Sequence, residues 1–182
     1  IFAGATSFNK PLDKWDVSSV TNMLFMFKSA SSFNQPLYAW NVSSVTNMKG
    51  MFSDAHLFNQ NLDSWDVSSV TDMSFMFYEA NSFNQSINLW NVSSVTDMRN
   101  MFRYASLFNQ PLKSWDVSKV TNMYQMFYKA YLFDQQLNSW DISSVNDMTK
   151  MFFEALSFNK KNALWYDFDK MKKNKFIKKT YF

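Results

Sequence analysis

Hydrophobic and polar residues follow one pattern along almost the whole chain, repeated with a step of 25 residues. In one such repeat, Trp65-Asp66-Val67 alternates apolar and polar residues and predicts a short, half-buried strand. Ser68 is the candidate N-cap of a helix. Apolar residues then fall on one helical face, at Val70, Met73, Met76, Phe77 and Ala80. Residues 81–86 predict a polar turn, after which Ile87 returns to the core.

A strict repeat of this length is typical of identical units that bury their apolar faces against one another. We therefore predict an α/β repeat solenoid of about seven turns, each a short parallel β-strand plus a helix or helical turn. One tryptophan per repeat should form a core column, which consists of Trp15, Trp40, Trp65, Trp90, Trp115, Trp140 and Trp165.

The repeats predict a single solenoid over residues 1–160 and a lysine-rich cap over residues 161–182. Because the chain starts within a repeat, we expect a solenoid that is truncated at its N-terminus. In the C-terminal segment lysines alternate with apolar residues, at Lys170, Lys172, Lys173, Lys175, Lys178 and Lys179. We favour a polar cap that seals the last turn, and contact with an anionic lipid, nucleic acid or glycan is the alternative.

Composition excludes several kinds of site. The chain has no cysteine, which excludes disulfides and zinc–cysteine sites. Hydrophobic residues make up 47% of the chain, yet no apolar run approaches the ~20 residues that a membrane span needs. The net charge of +3 comes from the C-terminal lysines, so the repeats themselves are not basic and we do not expect nucleic acid as a partner.

Side chains suited to catalysis are scarce. The only histidine is His56, and other repeats have different residues at its position. We therefore expect a solvated side chain there, and without a positioned histidine no Ser-His-Asp arrangement can form. The sequence therefore predicts no catalytic residues, no metal, no cofactor and no enzyme activity. A glycan hydrolase with paired carboxylates is the third, least favoured hypothesis.

An acidic or amide residue follows each of the first six tryptophans, which gives the first Asx ladder: Asp16, Asn41, Asp66, Asn91, Asp116 and Asp141. A row of exposed oxygens would suit divalent cations or sugar hydroxyls. The interpretation that we favour is structural, with each side chain bonded to its neighbours and to the serine turn behind it. A second Asx column inside the predicted helix, at Asn22, Asn47, Asp72, Asp97, Asn122 and Asp147, is interpreted in the same way.

Columns that vary from repeat to repeat should point outward, because packing does not fix their residues. On the predicted helix face these are rich in aromatic residues and arginine, which protein interfaces favour. The candidate partner-binding residues are Phe25, Phe75, Tyr78, Arg103, Tyr104, Tyr124, Tyr128 and Phe153.

The block Trp65-Asp66-Val67-Ser68-Ser69-Val70-Thr71-Asp72-Met73, with Met76-Phe77, Ala80 and Phe83-Asn84-Gln85, resembles the repeat of BspA-like leucine-rich-repeat surface proteins, also known as a mycoplasma lipoprotein repeat of unknown function. The resemblance extends from Phe2 to about Phe158. It implies a leucine-rich-repeat-like solenoid on a cell surface or secreted, which adheres to a host protein or glycan. The alternative is a structural component of a coat, fibre or virion shell, where the partners are neighbouring subunits.

Overall fold

The computed structural model describes residues 1–169 of the chain. Its one 3₁₀-helix in this range is Lys160–Asn162. Between residues 1 and 167 there is no α-helix and no extended strand. The prediction of an α/β repeat with a strand and a helix in each turn is therefore wrong. The 25-residue repeats stack on one another, but each repeat is a succession of tight turns.

Single parallel β-bridges join each repeat to the next one. They run through the second Asx column, at Asn22, Asn47, Asp72, Asp97, Asn122 and Asp147. Residues 65–67, the predicted strand, take part in none of these bridges. The pairing between repeats is thus at the start of the segment for which the sequence predicted a helix.

Residues 73–80, the predicted helix, alternate between two kinds of backbone hydrogen bond. Phe77 donates to the carbonyl of Met101 in the next repeat at 2.9 Å, and the same step of 24 residues recurs at Met73, Phe75 and Glu79. The amides between them bond within the repeat, as Tyr78 does to the carbonyl of Phe75 at 3.1 Å. An α-helix would bond each amide to the residue four positions earlier. Each repeat therefore depends on its neighbour for half of these bonds.

The turns place residues with positive φ at two positions in each repeat. Phe75 has a φ of 60° and Glu79 has a φ of 55°, and both are third residues of turns closed by a bond from the fourth residue to the first. A type II turn requires positive φ at this position, where a side chain with a Cβ costs about 1–2 kcal/mol. The backbone amides of the same two residues donate to the carbonyl oxygens of Arg99 and Arg103 in the next repeat, and these hydrogen bonds offset the cost.

Two files of phenylalanine rings fill the core. Within one repeat, the rings of Phe27 and Phe33 stack with centroids 4.2 Å apart. Between repeats, Phe27 stacks on Phe52 at 5.5 Å and Phe33 on Phe58 at 6.0 Å. The rings of both files are fully buried from repeat to repeat, at Phe27, Phe33, Phe52, Phe58, Phe77, Phe83, Phe102, Phe108, Phe127 and Phe133. Each contributes about 1.5–3 kcal/mol through burial.

The tryptophan column packs beside the phenylalanine files. Its members from Trp40 to Trp140 are only 2–4% exposed, and each indole nitrogen donates to a backbone carbonyl of the preceding repeat at 2.9–3.0 Å. Trp165 makes the same bond and is half-buried. Trp15 differs from the rest of the column, because its side chain is 45% exposed.

Residues 161–169, the described part of the predicted cap, place two rings against the end of the core. Tyr166 meets the ring of Phe152 edge-on at 5.1 Å, and Phe168 stacks on Phe152 at 5.8 Å. Burial raises the pKa of Tyr166 to about 12. The predicted contacts of Lys170 and the later lysines lie outside the described residues.

Candidate functional site

Seven of the eight candidate partner-binding residues form one surface, which we call the aromatic face: Phe25, Phe75, Tyr78, Arg103, Tyr104, Tyr128 and Phe153. All are half-buried except Phe153, which is exposed. They lie together because stacking of the repeats brings residues about 25 positions apart next to one another. The eighth, Tyr124, is half-buried in a neighbouring column and lies outside this chain of ring contacts.

Rings of the aromatic face touch from one repeat to the next. Tyr78 and Tyr104 meet edge-on at 6.0 Å, and Tyr104 and Tyr128 do so at 5.6 Å. Tyr128 stacks on Phe153 at 5.2 Å. At the other end Phe75 lies 5.9 Å from Tyr78. The rings thus form a continuous strip, and a strip of this kind marks a contact surface more clearly than single exposed rings do.

Arg103 is at the centre of the strip. Its guanidinium carbon lies 5.7 Å from the ring centre of Tyr78, 5.1 Å from that of Tyr104 and 4.8 Å from that of Tyr128. A cation over an aromatic ring is stabilised by about 0.5–2 kcal/mol, depending on how far both groups are desolvated. The three tyrosines therefore hold the positive charge in a fixed position at the surface.

Two buried amides also fix Arg103. Its Nη1 donates to Oε1 of Gln125 and, at 3.4 Å, to Oδ1 of Asn100. Gln125 and Asn100 are 5% and 3% exposed, although both belong to a variable column of positive-φ residues. The sequence does not single out these two residues, because a variable column predicts side chains that point outward. The signal that could have found them is their polarity beside an arginine in the same or the next repeat.

No carboxylate of the described residues forms an ion pair with Arg103. Within residues 1–169, ion pairs join Arg99 to Asp97 at 2.8 Å and Lys129 to Glu154 at 3.4 Å, and no such pair includes Arg103. The neutral amides of Asn100 and Gln125 accept from Nη1 without compensating the charge, and in the described residues the buried Nε of Arg103 has no hydrogen-bond partner. Arg103 therefore presents a cation that is available to an anion from outside.

An open groove of about 430 Å³ adjoins this cation. It is lined by Phe25, Lys28, Lys49, Ser53, Asp54, Phe75, Tyr78 and Arg103. Burial, followed by a hydrogen bond to Glu79, raises the pKa of Tyr78 to about 12. The groove combines aromatic rings, three cationic side chains, one carboxylate and one phenolic hydroxyl.

The first Asx ladder has a different geometry. Asp16, Asn41, Asp66, Asn91, Asp116 and Asp141 are exposed, and in each repeat the side-chain oxygen accepts from the serine amide two residues later. The Oδ1 of Asp66, for example, accepts from the amide of Ser68 at 3.0 Å. The hydroxyl and amide of Ser68 lower the pKa of Asp66. These bonds stay within one repeat and close its turn.

The second Asx column also closes turns. The Oδ1 of Asp72 accepts from the amide of Ser74 at 2.8 Å, and that of Asp97 accepts from the amide of Arg99 at 3.0 Å. Burial raises the pKa of Asp97, against the opposing effect of Arg99. In the described part of the chain, no group of three histidine, cysteine or acidic residues is arranged to hold a metal ion.

His56 is less exposed than the sequence suggested. We predicted a solvated side chain, but His56 is half-buried and its Nδ1 lies 2.9 Å from the carbonyl oxygen of Glu79 in the next repeat. A neutral or charged ring can donate from this nitrogen. The residue thus contributes one more bond between neighbouring repeats.

A further polar column, which we call the amide ladder, consists of Asn9, Asn34, Asn59, Asn84, Asn109 and Asp134. The Oδ1 of Asn84 accepts from the backbone amide of Asn109 at 2.9 Å and from the side-chain amide of Gln110 at 3.1 Å. The same pair of bonds recurs between repeats along the column. The sequence predicts only a polar turn for this segment and does not indicate its role between repeats.

Comparison with known proteins places the chain in a family. The family model described as "Mycoplasma protein of unknown function, DUF285" matches residues 1–89 and, a second time, residues 81–179. The two matches cover most of the chain, which therefore belongs to this family and consists of its repeats. No curated protein and no solved structure matches the chain. None of the helical residues in the described range forms a segment long and apolar enough to cross a membrane.

Proposed function

We propose that the chain is a non-enzymatic binding module that contacts a protein or glycan on another surface through its aromatic face. The observation on which this rests is the position of Arg103, held on three tyrosine rings without a carboxylate partner in the described residues. Arginine and tyrosine are the side chains most often responsible for binding energy at interfaces. The contact requires no cofactor and no metal.

Adhesion at a cell surface or after secretion is the setting that we propose for this contact. It rests on the resemblance of the repeat to BspA-like surface proteins, and the family to which the chain belongs has no assigned function. A binding surface made of rigid rings is consistent with this role, because few side-chain rotamers have to be fixed when a partner binds.

The test compares binding of two variants to arrays of glycans and host surface proteins. The first variant combines Arg103→Ser with Tyr128→Ser, since Ser53 occupies the same column in another repeat. The second is Asp116→Asn, a matched change in the first Asx ladder, where Asn41 and Asn91 occur naturally. We expect the first variant to lose the signal of the unmodified chain and the second to retain it.

Equal binding by both variants would contradict the proposed role of the aromatic face. Light scattering coupled to size exclusion would then examine the alternative of a coat, fibre or virion component. Open-ended polymers of the isolated chain that the Arg103→Ser and Tyr128→Ser changes disperse would favour assembly with neighbouring subunits over binding to another surface.

A further inference from the structure

The groove of the aromatic face exists because one repeat lacks its outward side chains. In the column of Phe25 and Phe75 the intervening residue is Gly50, and in the column of Lys28 and Tyr78 the intervening residue is Ser53. Gly50 is buried and Ser53 is only 5% exposed. In the column of Ser53 the side chains of Lys28 and Tyr78 therefore stand as walls on either side of a gap, which we call the notch.

The notch is one repeat wide along the stack. The core rings of the three repeats concerned are 5.5 Å apart between Phe27 and Phe52 and 5.7 Å apart between Phe52 and Phe77. The walls therefore stand two repeat spacings apart, with room for one flat ring between them. The ring of Phe25 lies over Gly50 and forms the floor. A ligand ring would take the place that Tyr78 or Tyr128 has in other repeats.

Cations surround this gap. Lys28, Lys49 and Arg103 line it, against the single carboxylate of Asp54. The Lys28 ammonium lies 5.1 Å from the ring centre of Phe25. The charge of Lys49 lowers the pKa of Asp97, whereas burial raises that pKa. In residues 1–169, none of the three cations forms an ion pair. The excess of positive charge favours a ligand with a negative group.

The remaining groups suit hydroxyls. The Asp54 carboxylate accepts a bond from the Ser29 hydroxyl at 3.3 Å and has further acceptor capacity. Burial and a hydrogen bond to Glu79 raise the pKa of Tyr78 to about 12, and its oxygen can accept a bond from a ligand hydroxyl. Phe25 and Phe75 offer flat apolar surfaces to the C–H faces of a sugar ring.

From these observations we infer that the notch is a subsite for an acidic sugar, a pyranose with one carboxylate. The ring lies over Phe25 and beside Tyr78, its hydroxyls donate to the Asp54 carboxylate and to the Tyr78 oxygen, and its carboxylate faces Lys28, Lys49 and Arg103. This inference rests on the proposed function, which it makes more specific. A peptide rich in glutamate would supply the negative charge but neither the flat ring nor the hydroxyls.

Calorimetry on the full chain tests this subsite. The probes are three carboxylated oligosaccharides (hyaluronan tetrasaccharide, tetragalacturonate and sialyllactose), neutral chitotetraose and a tetraglutamate peptide. We expect at least one carboxylated sugar to bind about tenfold more tightly than chitotetraose and the peptide, the ratio that one additional charge-assisted hydrogen bond produces. Its affinity should fall as salt is added, because screening weakens exposed charge pairs.

Three variants locate the binding. Ser53→Tyr fills the notch with the residue that Tyr78 and Tyr128 supply in the same column, and it should abolish binding. Lys49→Ser, which copies Ser74, should weaken binding about three- to tenfold through the loss of one cation. Lys113→Asn removes a lysine from another surface, where Asn88 and Asn138 occur naturally, and should leave the affinity unchanged.

Failure of the subsite is distinguishable from failure of the proposed function. No binding to any of the three acidic sugars, equal binding of the peptide, or sugar binding that survives both Ser53→Tyr and Lys49→Ser overturns the inference. The proposed function still stands in those cases if the array signal of the unmodified chain depends on Arg103 and Tyr128. Loss of that dependence overturns the proposed function itself.

Discussion

The indole nitrogen of Trp90 donates a hydrogen bond to the carbonyl oxygen of Leu62, 3.0 Å away and in the preceding repeat. The same carbonyl also accepts the amide of Trp65 at 3.1 Å, which closes a turn of that preceding repeat. One oxygen thus connects a local turn to the core side chain of the next repeat. This arrangement explains why the tryptophan column can be buried without leaving its polar nitrogen unsatisfied.

Trp90→Ala should lower the free energy of unfolding by about 3–5 kcal/mol, since it removes a ring that is 2% exposed and leaves a cavity between two repeats. Urea unfolding followed by circular dichroism measures this change. Trp15→Ala is the matched control, because Trp15 belongs to the same column but is 45% exposed. Equal losses for the two variants would contradict the role assigned to the buried column.

Gly50→Ala should destabilise the chain more than Gly4→Ala. Both glycines have positive φ, 57° and 75°, so each substitution costs about 1–2 kcal/mol in backbone conformation. A Cβ on Gly50 would also collide with the ring of Phe25, whereas a Cβ on Gly4 would meet no atom within 4 Å. Overpacking of this kind adds about 1–3 kcal/mol. Thermal or urea unfolding of both variants measures the difference, and a Gly4→Ala loss as large as that of Gly50→Ala would refute it.

The amide ladder should tolerate aspartate but not alanine. Asn84→Ala removes the acceptor of the Asn109 amide and the Gln110 side chain, which should cost about 1–3 kcal/mol. Asn84→Asp keeps both acceptor bonds, and Asp134 already occupies this column, where it accepts from the amide of Asn159 at 2.8 Å. Hydrogen exchange at Asn109 should quicken in the alanine variant alone. Unchanged exchange there would show that the side-chain bond is not what protects this amide.

Two aspartates should titrate in opposite directions. The Ser68 hydroxyl and amide lower the pKa of Asp66 in the folded chain, so its stabilising effect is complete above about pH 4, the usual aspartate value, and is lost as the pH falls through the lowered pKa. Burial raises the pKa of Asp97, so Asp97 favours the folded chain below about pH 4, and this contribution is lost as the pH rises through the raised pKa.

NMR titration of the two carboxyl carbons measures both pKa values directly. Asp66→Asn, a change that copies Asn41 and Asn91, should make unfolding in acid less dependent on pH. Asp97→Asn copies Asn47 and Asn122. It should reduce the stability that is lost as the pH rises from the usual aspartate pKa to the raised pKa of Asp97. A midpoint for Asp66 above that for Asp97 would contradict the hydrogen bonds to Ser68 that lower the first pKa and the burial that raises the second.

The repeating pattern was sufficient to locate the core but not to define its secondary structure. Val70, Met73, Met76, Phe77 and Ala80 have helical spacing, and in the structure all five are fully buried. Consecutive turns bury residues at the same intervals, because each turn also closes over three residues. The inward positions thus follow from the sequence, while the choice between helix and turns depends on bonds to a residue 24 positions away.

The positive-φ residues show where sequence reasoning had least information. Glycine favours this conformation, but the same columns contain Phe75, Glu79 and Gln125, which give no such signal. Among the described positive-φ positions, only Gly4 and Gly50 have a residue type that indicates positive φ. The aromatic face was easier to anticipate, because its columns vary in the sequence. The fixed position of Arg103 was harder to predict, because its contacts extend to Tyr78 and Gln125 in two other repeats.

Alternate backbone amides of residues 73–80 bond to the next repeat, and none of the eight bonds in the pattern of an α-helix. NMR couplings across hydrogen bonds test this arrangement directly in an isotope-labelled chain. We predict a correlation from the amide nitrogen of Phe77 to the carbonyl carbon of Met101, the 2.9 Å contact in the structure. A correlation from Phe77 to Met73, four residues earlier, would demonstrate the helix and contradict this account.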